Sequence, residues 1–187
     1  MQLARVLVFL SSALFLVLGA PLARAEFQLN SPEFEDGDML TERHVFAGFG
    51  CSGDNQSPAL AWSDPPEGTA SFALLVHDPD APIASGWWHW VLIDIPAETR
   101  ALLANAGDPA AGLAPEGSRQ IITDFGVPGW GGPCPPEGRE PHRYNFTLVA
   151  LDTAQLEIPE SASTALVAFL VEGAKLGEAR LTGRYQR

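Results

Sequence analysis

The sequence predicts a mostly β domain closed by one helix near its C-terminus, and three segments carry that prediction. Ser71 to His77 and Trp88 to Ile95 are short apolar runs, each ended by a proline-bearing turn, at Pro79 and Pro96. Tyr144, Phe146, Leu148 and Ala150 alternate with Asn145, Thr147 and Val149, the two-residue period of a strand beside a core. These three strands form the expected centre. The 18 glycines and 16 prolines are spread along the chain rather than gathered in a linker, as where many short strands are joined by turns. Near the end, Ser161 or Ser163 caps a helix whose Leu166, Phe169, Leu170 and Gly173 follow helical spacing. A last strand is expected over Ala179 to Tyr185, and a second, shorter helix over Glu98 to Ala104. Between the second and third strands, Leu102 to Arg143 is dense in Gly and Pro and without periodicity. Connections this long in a compact domain are usually functional.

Residues 1–25 read as an export signal. Arg5 supplies a positive start, Val6 to Leu18 is apolar or small throughout, and Ala23-Arg24-Ala25 offers small residues at both positions that a signal peptidase inspects. The run is shorter than the roughly 20 residues that span a bilayer, which disfavours a transmembrane anchor. The expected mature chain is one domain, residues 26–187, periplasmic or secreted; with no Cys at the cut, no lipid anchor is expected.

Both leader charges are arginines, so the mature part carries 9 basic against 23 acidic side chains, a net charge of −14. No basic run is available for a nucleic-acid backbone, and none for purely electrostatic docking on anionic lipid. Cys51 and Cys134 are the two cysteines of the chain. In an oxidising compartment a single long-range disulfide between them is the economical reading, with a pair of buried free thiols as the alternative. Two cysteines are too few for a structural zinc site.

Three clusters combine residue types suited to binding: Asp78-Pro79-Asp80-Ala81-Pro82 after a strand, Trp87-Trp88-His89-Trp90 entering the next, and Gly131 to Gly138 followed by His142-Arg143-Tyr144. Each sits at a strand end, where loops on a rigid scaffold gather distant residues. Each also has an ordinary explanation, since Asp-Pro-Asp forms turns, a histidine among tryptophans can be a satisfied core residue, and a Gly/Pro run can be only a loop.

In this order and spacing the clusters resemble the phosphatidylethanolamine-binding protein family, in its bacterial Raf kinase inhibitor-like branch. Phe49-Gly50-Cys51-Ser52-Gly53-Asp54-Asn55-Gln56-Ser57-Pro58, with Leu60 and Trp62, is similar to the family's early segment. The Asp-Pro-Asp-Ala-Pro, Gly-Trp-Trp-His-Trp and Pro-Pro-x-Gly-x-x-x-His-Arg-Tyr elements follow, and the resemblance runs from Phe27 to Tyr185. It implies a two-sheet antiparallel β-sandwich with a C-terminal helix. It also implies a pocket for phosphate, phosphorylethanolamine or a phospholipid headgroup at Asp78, Asp80, Ala81, Pro82, His89, Gly132, Pro135, His142 and Tyr144, with Tyr185 at the mouth. Cys134 stands where eukaryotic members have a glycine before the paired prolines, which alters the donor geometry of that loop.

Carboxylates beside an anion need a counterweight in a low-dielectric cleft. An aspartate accepting a hydrogen bond from His89 or His142 would favour the imidazolium, whose other N–H then faces the anion. Glycine-loop amides and the Tyr144 hydroxyl would add neutral donors. This reading predicts tighter phosphate binding near pH 6 than near pH 8. Catalysis is not expected, because the sequence lacks His-Glu-x-x-His, Gly-x-Ser-x-Gly and a Walker loop; no cofactor or metal is expected either. A protein partner in the cell envelope and a homodimer stay open. A choline cage among the tryptophans is disfavoured, since strict alternation puts His89 on the face opposite both Trp88 and Trp90.

Overall fold

The computed structural model describes residues 25–159 and 161–187. The expected leader therefore lies outside the described residues except for Ala25. The elements are β1 (Gln28–Asn30), β2 (Ala47–Gly48), β3 (Cys51–Ser52), β4 (Leu60–Ser63), β5 (Ser71–Asp78), β6 (Trp87–Pro96), β7 (Ala101–Leu102), β8 (Arg119–Gln120), β9 (His142–Leu151), α1 (Thr164–Gly173) and β10 (Lys175–Tyr185). A five-stranded antiparallel sheet runs β10-β9-β5-β6-β8, with the three expected strands at its centre, and a three-stranded sheet runs β1-β4-β7. The hairpin of β2 and β3 forms a small third sheet.

Burial explains the layering. Phe72, Leu74 and Val76 of β5 meet Leu29, Leu60, Trp62 and Leu102 of the smaller sheet in the main core, together with Trp90, Tyr144, Phe146 and Leu148. Ala73, Val91, Ile93, Val149 and Leu151 face the other way, where Leu156 and α1 cover them. A strand buried on both faces loses its alternation, which is why β5 and β6 read as continuous apolar runs.

Two expectations are corrected. Ala101 and Leu102 pair with Ala61 and Leu60 as an edge strand, so no helix forms over Glu98 to Ala104. A turn closed by Thr99 N–H on the Pro96 carbonyl redirects the chain, and Leu102 alone is buried there while Leu103 is exposed, an inward anchor too sparse for a helix face. Helix α1 forms with Ser163 as its cap, the Ser163 Oγ accepting from Leu166 N–H at 3.3 Å. It buries Thr164, Val167 and Val171, however, and leaves Leu166 and Phe169 exposed. With apolar residues on every side of this helix, periodicity could not choose the face.

The sheet is not regular where β5 meets β6. Phe72 pairs with Ile95 and Leu74 with Leu92, then Val76 with Trp90 and His77 with Trp88, so β6 carries one extra residue at each step. At the first step Asp94 takes φ 57°, and its carboxylate accepts from Leu156 N–H and from Arg119 Nε, fastening the α1 connection to the sheet. At the second step the unpaired residue is His89. A bulge of this kind re-aims a side chain that alternation would send elsewhere.

Candidate functional site

A cavity of about 190 Å³ opens where β5 ends and β6 and β9 begin, lined in part by Asp78, Trp87, His89, His142 and Tyr144. The Asp78 turn is built by its own side chain. Asp78 Oδ1 accepts from the backbone N–H groups of Asp80 at 2.8 Å and Ala81 at 3.1 Å, the local bonding that makes Asp-Pro-Asp a turn former. Asp78 Oδ2 accepts from His142 Nδ1 at 2.8 Å, which ties the end of β5 to the start of β9 and leaves the Nε2 nitrogen of His142 for a ligand.

His89 is clamped to the glycine loop twice. Its Nδ1–H donates to the Gly131 carbonyl at 2.6 Å, and its own carbonyl accepts from Gly131 N–H at 2.9 Å. A carbonyl can only accept, so the hydrogen sits on Nδ1 and Nε2 presents a lone pair. Burial pushes the imidazole down to about 4, against the opposing pull of the Gly131 carbonyl and Asp78, so the ring is neutral at pH 7. The bulge also overturns the alternation argument, because His89 and Trp90 both pack on Trp130, with centroids 6.3 Å away in each case. Trp88 alone faces outward, 4.4 Å from the His77 ring.

Tyr144 is fully buried, and among the described residues its hydroxyl has no hydrogen-bond partner. Burial first, and then the neighbouring Asp78, push this phenol well above its ordinary range, so it stays a neutral O–H donor. A buried, unpartnered hydroxyl in a cavity wall is a strong structural signal, since such groups are costly unless something completes them.

Of the sequence-predicted residues, Asp78, Ala81, Pro82, His89, Pro135, His142 and Tyr144 line the cavity. Asp80, Gly132 and Tyr185 do not. Asp80 is held outside by Arg143, with bonds to its Oδ2 from Arg143 N–H and Nε at 2.9 Å and to its Oδ1 from Nη2 at 2.7 Å. The side-chain bonds from Arg143 hold its carboxyl down at about 2. Gly132 supports the loop from behind: its N–H donates to Asn55 Oδ1 at 2.8 Å, and any Cβ there would collide with the His44 carbonyl and Phe46 nitrogen. The Tyr185 hydroxyl donates to Glu42 Oε1 at 2.7 Å, and burial and then Glu42 push that phenol up to about 12.

Trp87, Cys134 and Pro136, from the sequence clusters, and Phe49, from the early segment, also stand in the wall although outside the implied ligand set, and sequence reasoning missed Phe125 altogether. Trp87 was recoverable, being two residues from His89 on a strand. Phe125 was not, because it stands in an aperiodic loop. Cys51 and Cys134 are joined in a disulfide with a Cα separation of 6.0 Å, clipping the β2–β3 hairpin to the proline loop. Phe49, at the tip of that hairpin, therefore faces Pro135 and Pro136 across one cavity.

The fold and cavity together define a β-sandwich with a small pocket at its strand ends. The chain belongs to the phosphatidylethanolamine-binding protein family, whose profile matches residues 30–186. It is 46% identical over 162 residues to the UPF0098 protein YbcL of Escherichia coli K12, covering 87% of this chain and 88% of YbcL. It is 48% identical over 158 residues to YbhB of the same organism, covering 84% and 99%. The crystal structure of E. coli YbcL superposes with a TM-score of 0.84 over 87% of this chain and 99% of that one, at 47% identity. The Chlamydia trachomatis homologue CT736 superposes at 0.71, covering 86% and 97% at 28% identity.

Proposed function

We propose that this chain is an exported binding protein that holds a phosphate-type anion, free or as the headgroup of a phospholipid, against His142, Tyr144 and His89. The buried hydroxyl of Tyr144, without a partner beside the Asp78–His142 pair, carries the reading. A phosphoryl oxygen supplies the acceptor that hydroxyl lacks. His142 and His89 give their Nδ1–H to Asp78 and to the Gly131 carbonyl, so each leaves Nε2 with a lone pair, and a proton taken up there would make a donor beside the Tyr144 hydroxyl. The family's name points to the same class of ligand.

Binding without turnover is part of this reading. Export accords with the signal-like leader. Among the described residues no helix is long and apolar enough to cross a membrane, and a relative 36% identical over 156 residues, in Mycobacterium tuberculosis, is named as lipoprotein LppC. Titration calorimetry with inorganic phosphate tests the pocket: His142→Ala should abolish binding while near-ultraviolet dichroism stays native. Wild-type protein with no phosphate affinity, or hydrolysis of a phosphoester at the wild-type site, would refute the reading. Mass spectrometry of the exported form should find Glu26 first.

A further inference from the structure

The cavity is polar at its floor and apolar at its walls. Phe49 and Phe125 lie nearly parallel, 14° apart with centroids at 6.0 Å, and Trp87 stands at 89° to Phe125 at 5.6 Å. Phe125 also reaches the His89 ring, at 5.4 Å, so the aromatic wall begins where the polar floor ends. Pro82, Pro135 and Pro136 complete the wall and contribute no N–H.

Among the described residues, the one carboxylate in the cavity lining is not free to meet a primary ammonium. Asp78 already accepts three hydrogen bonds, from Asp80 N–H, Ala81 N–H and His142. Asp80, the other acid of the turn, is spent on Arg143 outside the cavity. A primary ammonium carries three N–H donors and a firm hydration shell; against rings and proline methylenes it would shed water without gaining acceptors. A quaternary ammonium has no N–H to satisfy and is attracted to aromatic faces. The chain's net negative charge favours a cationic group over a neutral one of the same shape. A volume of about 190 Å³ is below the several hundred Å³ or more of pockets for drug-sized ligands. It accommodates a headgroup without acyl chains.

We propose that the cavity selects a phosphocholine-type group, a phosphate joined to a quaternary ammonium, over its phosphoethanolamine counterpart. The proposal rests on the anion reading above and adds the identity of the second group.

Calorimetric titrations with inorganic phosphate, phosphocholine, phosphoethanolamine and monomeric dihexanoyl phosphatidylcholine separate the cases. Phosphocholine is expected to bind about five-fold tighter than phosphoethanolamine, the upper end of what an exposed aromatic face gives a cation. Phe49→Leu, at a residue 69% exposed and so without consequence for folding, is expected to shrink that ratio, and Phe125→Leu to shrink it further. Dihexanoyl phosphatidylcholine binding as tightly as phosphocholine would make a lipid headgroup the source, and weaker binding would make it the free ester; both agree with the selectivity. Phosphoethanolamine binding as well as or better than phosphocholine, or a ratio untouched by both substitutions, overturns the proposal while leaving phosphate binding intact. Failure of inorganic phosphate itself to bind would remove the underlying reading as well.

Discussion

His142 Nδ1 donates to Asp78 Oδ2 at 2.8 Å, and the two side chains are 7% and 5% exposed. The bond joins the turn after β5 to the first residue of β9, so the floor of the cavity is fixed by residues 64 positions apart. In Asp78→Ala, the N–H groups of Asp80 and Ala81 and the Nδ1–H of His142 all lose their acceptor. Leaving one buried donor unmatched costs about 2 kcal/mol. Urea denaturation should show at least that loss with an unchanged m-value, and phosphate affinity should fall with it, since the His142 ring is no longer held in place. Unaltered stability would mean the pair does not anchor the floor.

Tyr144→Phe separates binding from folding. The hydroxyl is buried without a partner, so removing it relieves a desolvation penalty in the free protein. Thermal stability should be unchanged or should rise by up to about 1 kcal/mol. Phosphate affinity should fall by about ten-fold, the value of one hydrogen bond to a charged acceptor. A clear loss of stability with full binding would place the missing partner of that hydroxyl within the protein.

Sequence and structure agree most closely where local chemistry decides. The turn after Asp78, the cap at Ser163 and the alternation of β9 each follow from residues within a few positions of one another. The aim of His89 does not, because it depends on a register slip between β5 and β6 that no local pattern encodes. Strict alternation placed its ring away from Trp90, and the bulge brought it round. The same limit explains Asp80. Its motif marks a carboxylate near the pocket, but whether that carboxylate faces the cavity or Arg143 depends on how β9 pairs beside it. Phe125 is recruited by its fit against the Gly131 backbone, where a Cβ would meet the ring, and that is a tertiary contact.

The lowered imidazole of His89 sets a pH dependence of defined sign. With the folded value near 4 and the ordinary value at 6.5, the unfolded chain holds a proton between those limits that the folded chain does not. Stability is therefore full above about pH 6.5 and declines as pH falls toward 4, by on the order of 3 kcal/mol. In His89→Gln, whose amide can still donate to Gly131, the decline over that window should flatten. The Asp80–Arg143 pair acts in a separate window: the depressed carboxyl contributes in full above its ordinary value of 3.8, and that contribution is lost progressively as pH drops toward about 2. Anion binding should reverse the preference of His89 for the neutral form. Sulfate, which does not titrate between pH 5 and 8, should bind more tightly as pH falls and take up protons in buffers of differing ionisation enthalpy. Binding of sulfate without proton uptake would show that His89 stays an acceptor in the complex.

The Cys51–Cys134 bond closes a loop of 83 residues and joins two segments that both wall the cavity. In the chain-entropy account a loop of that length corresponds to about 4.5 kcal/mol of stability, and native disulfides lost from small domains cost about 2–5 kcal/mol. The double variant Cys51→Ser, Cys134→Ser should therefore unfold at markedly lower temperature. Its effect on the site should be uneven. Loop residues up to Pro133 keep other anchors, through Gly131 on His89, Gly132 on Asn55 and the Pro133 carbonyl on Phe46 N–H. Beyond them, Pro135 keeps the bond from Arg187 to its carbonyl, and Phe49 sits on a six-residue hairpin. Loosening these walls weakens a ligand's apolar contacts more than its anchoring at the floor. At a temperature where the variant is fully folded, inorganic phosphate should lose little affinity and phosphocholine several-fold more. Equal losses for both would mean that the disulfide supports the whole site through stability alone.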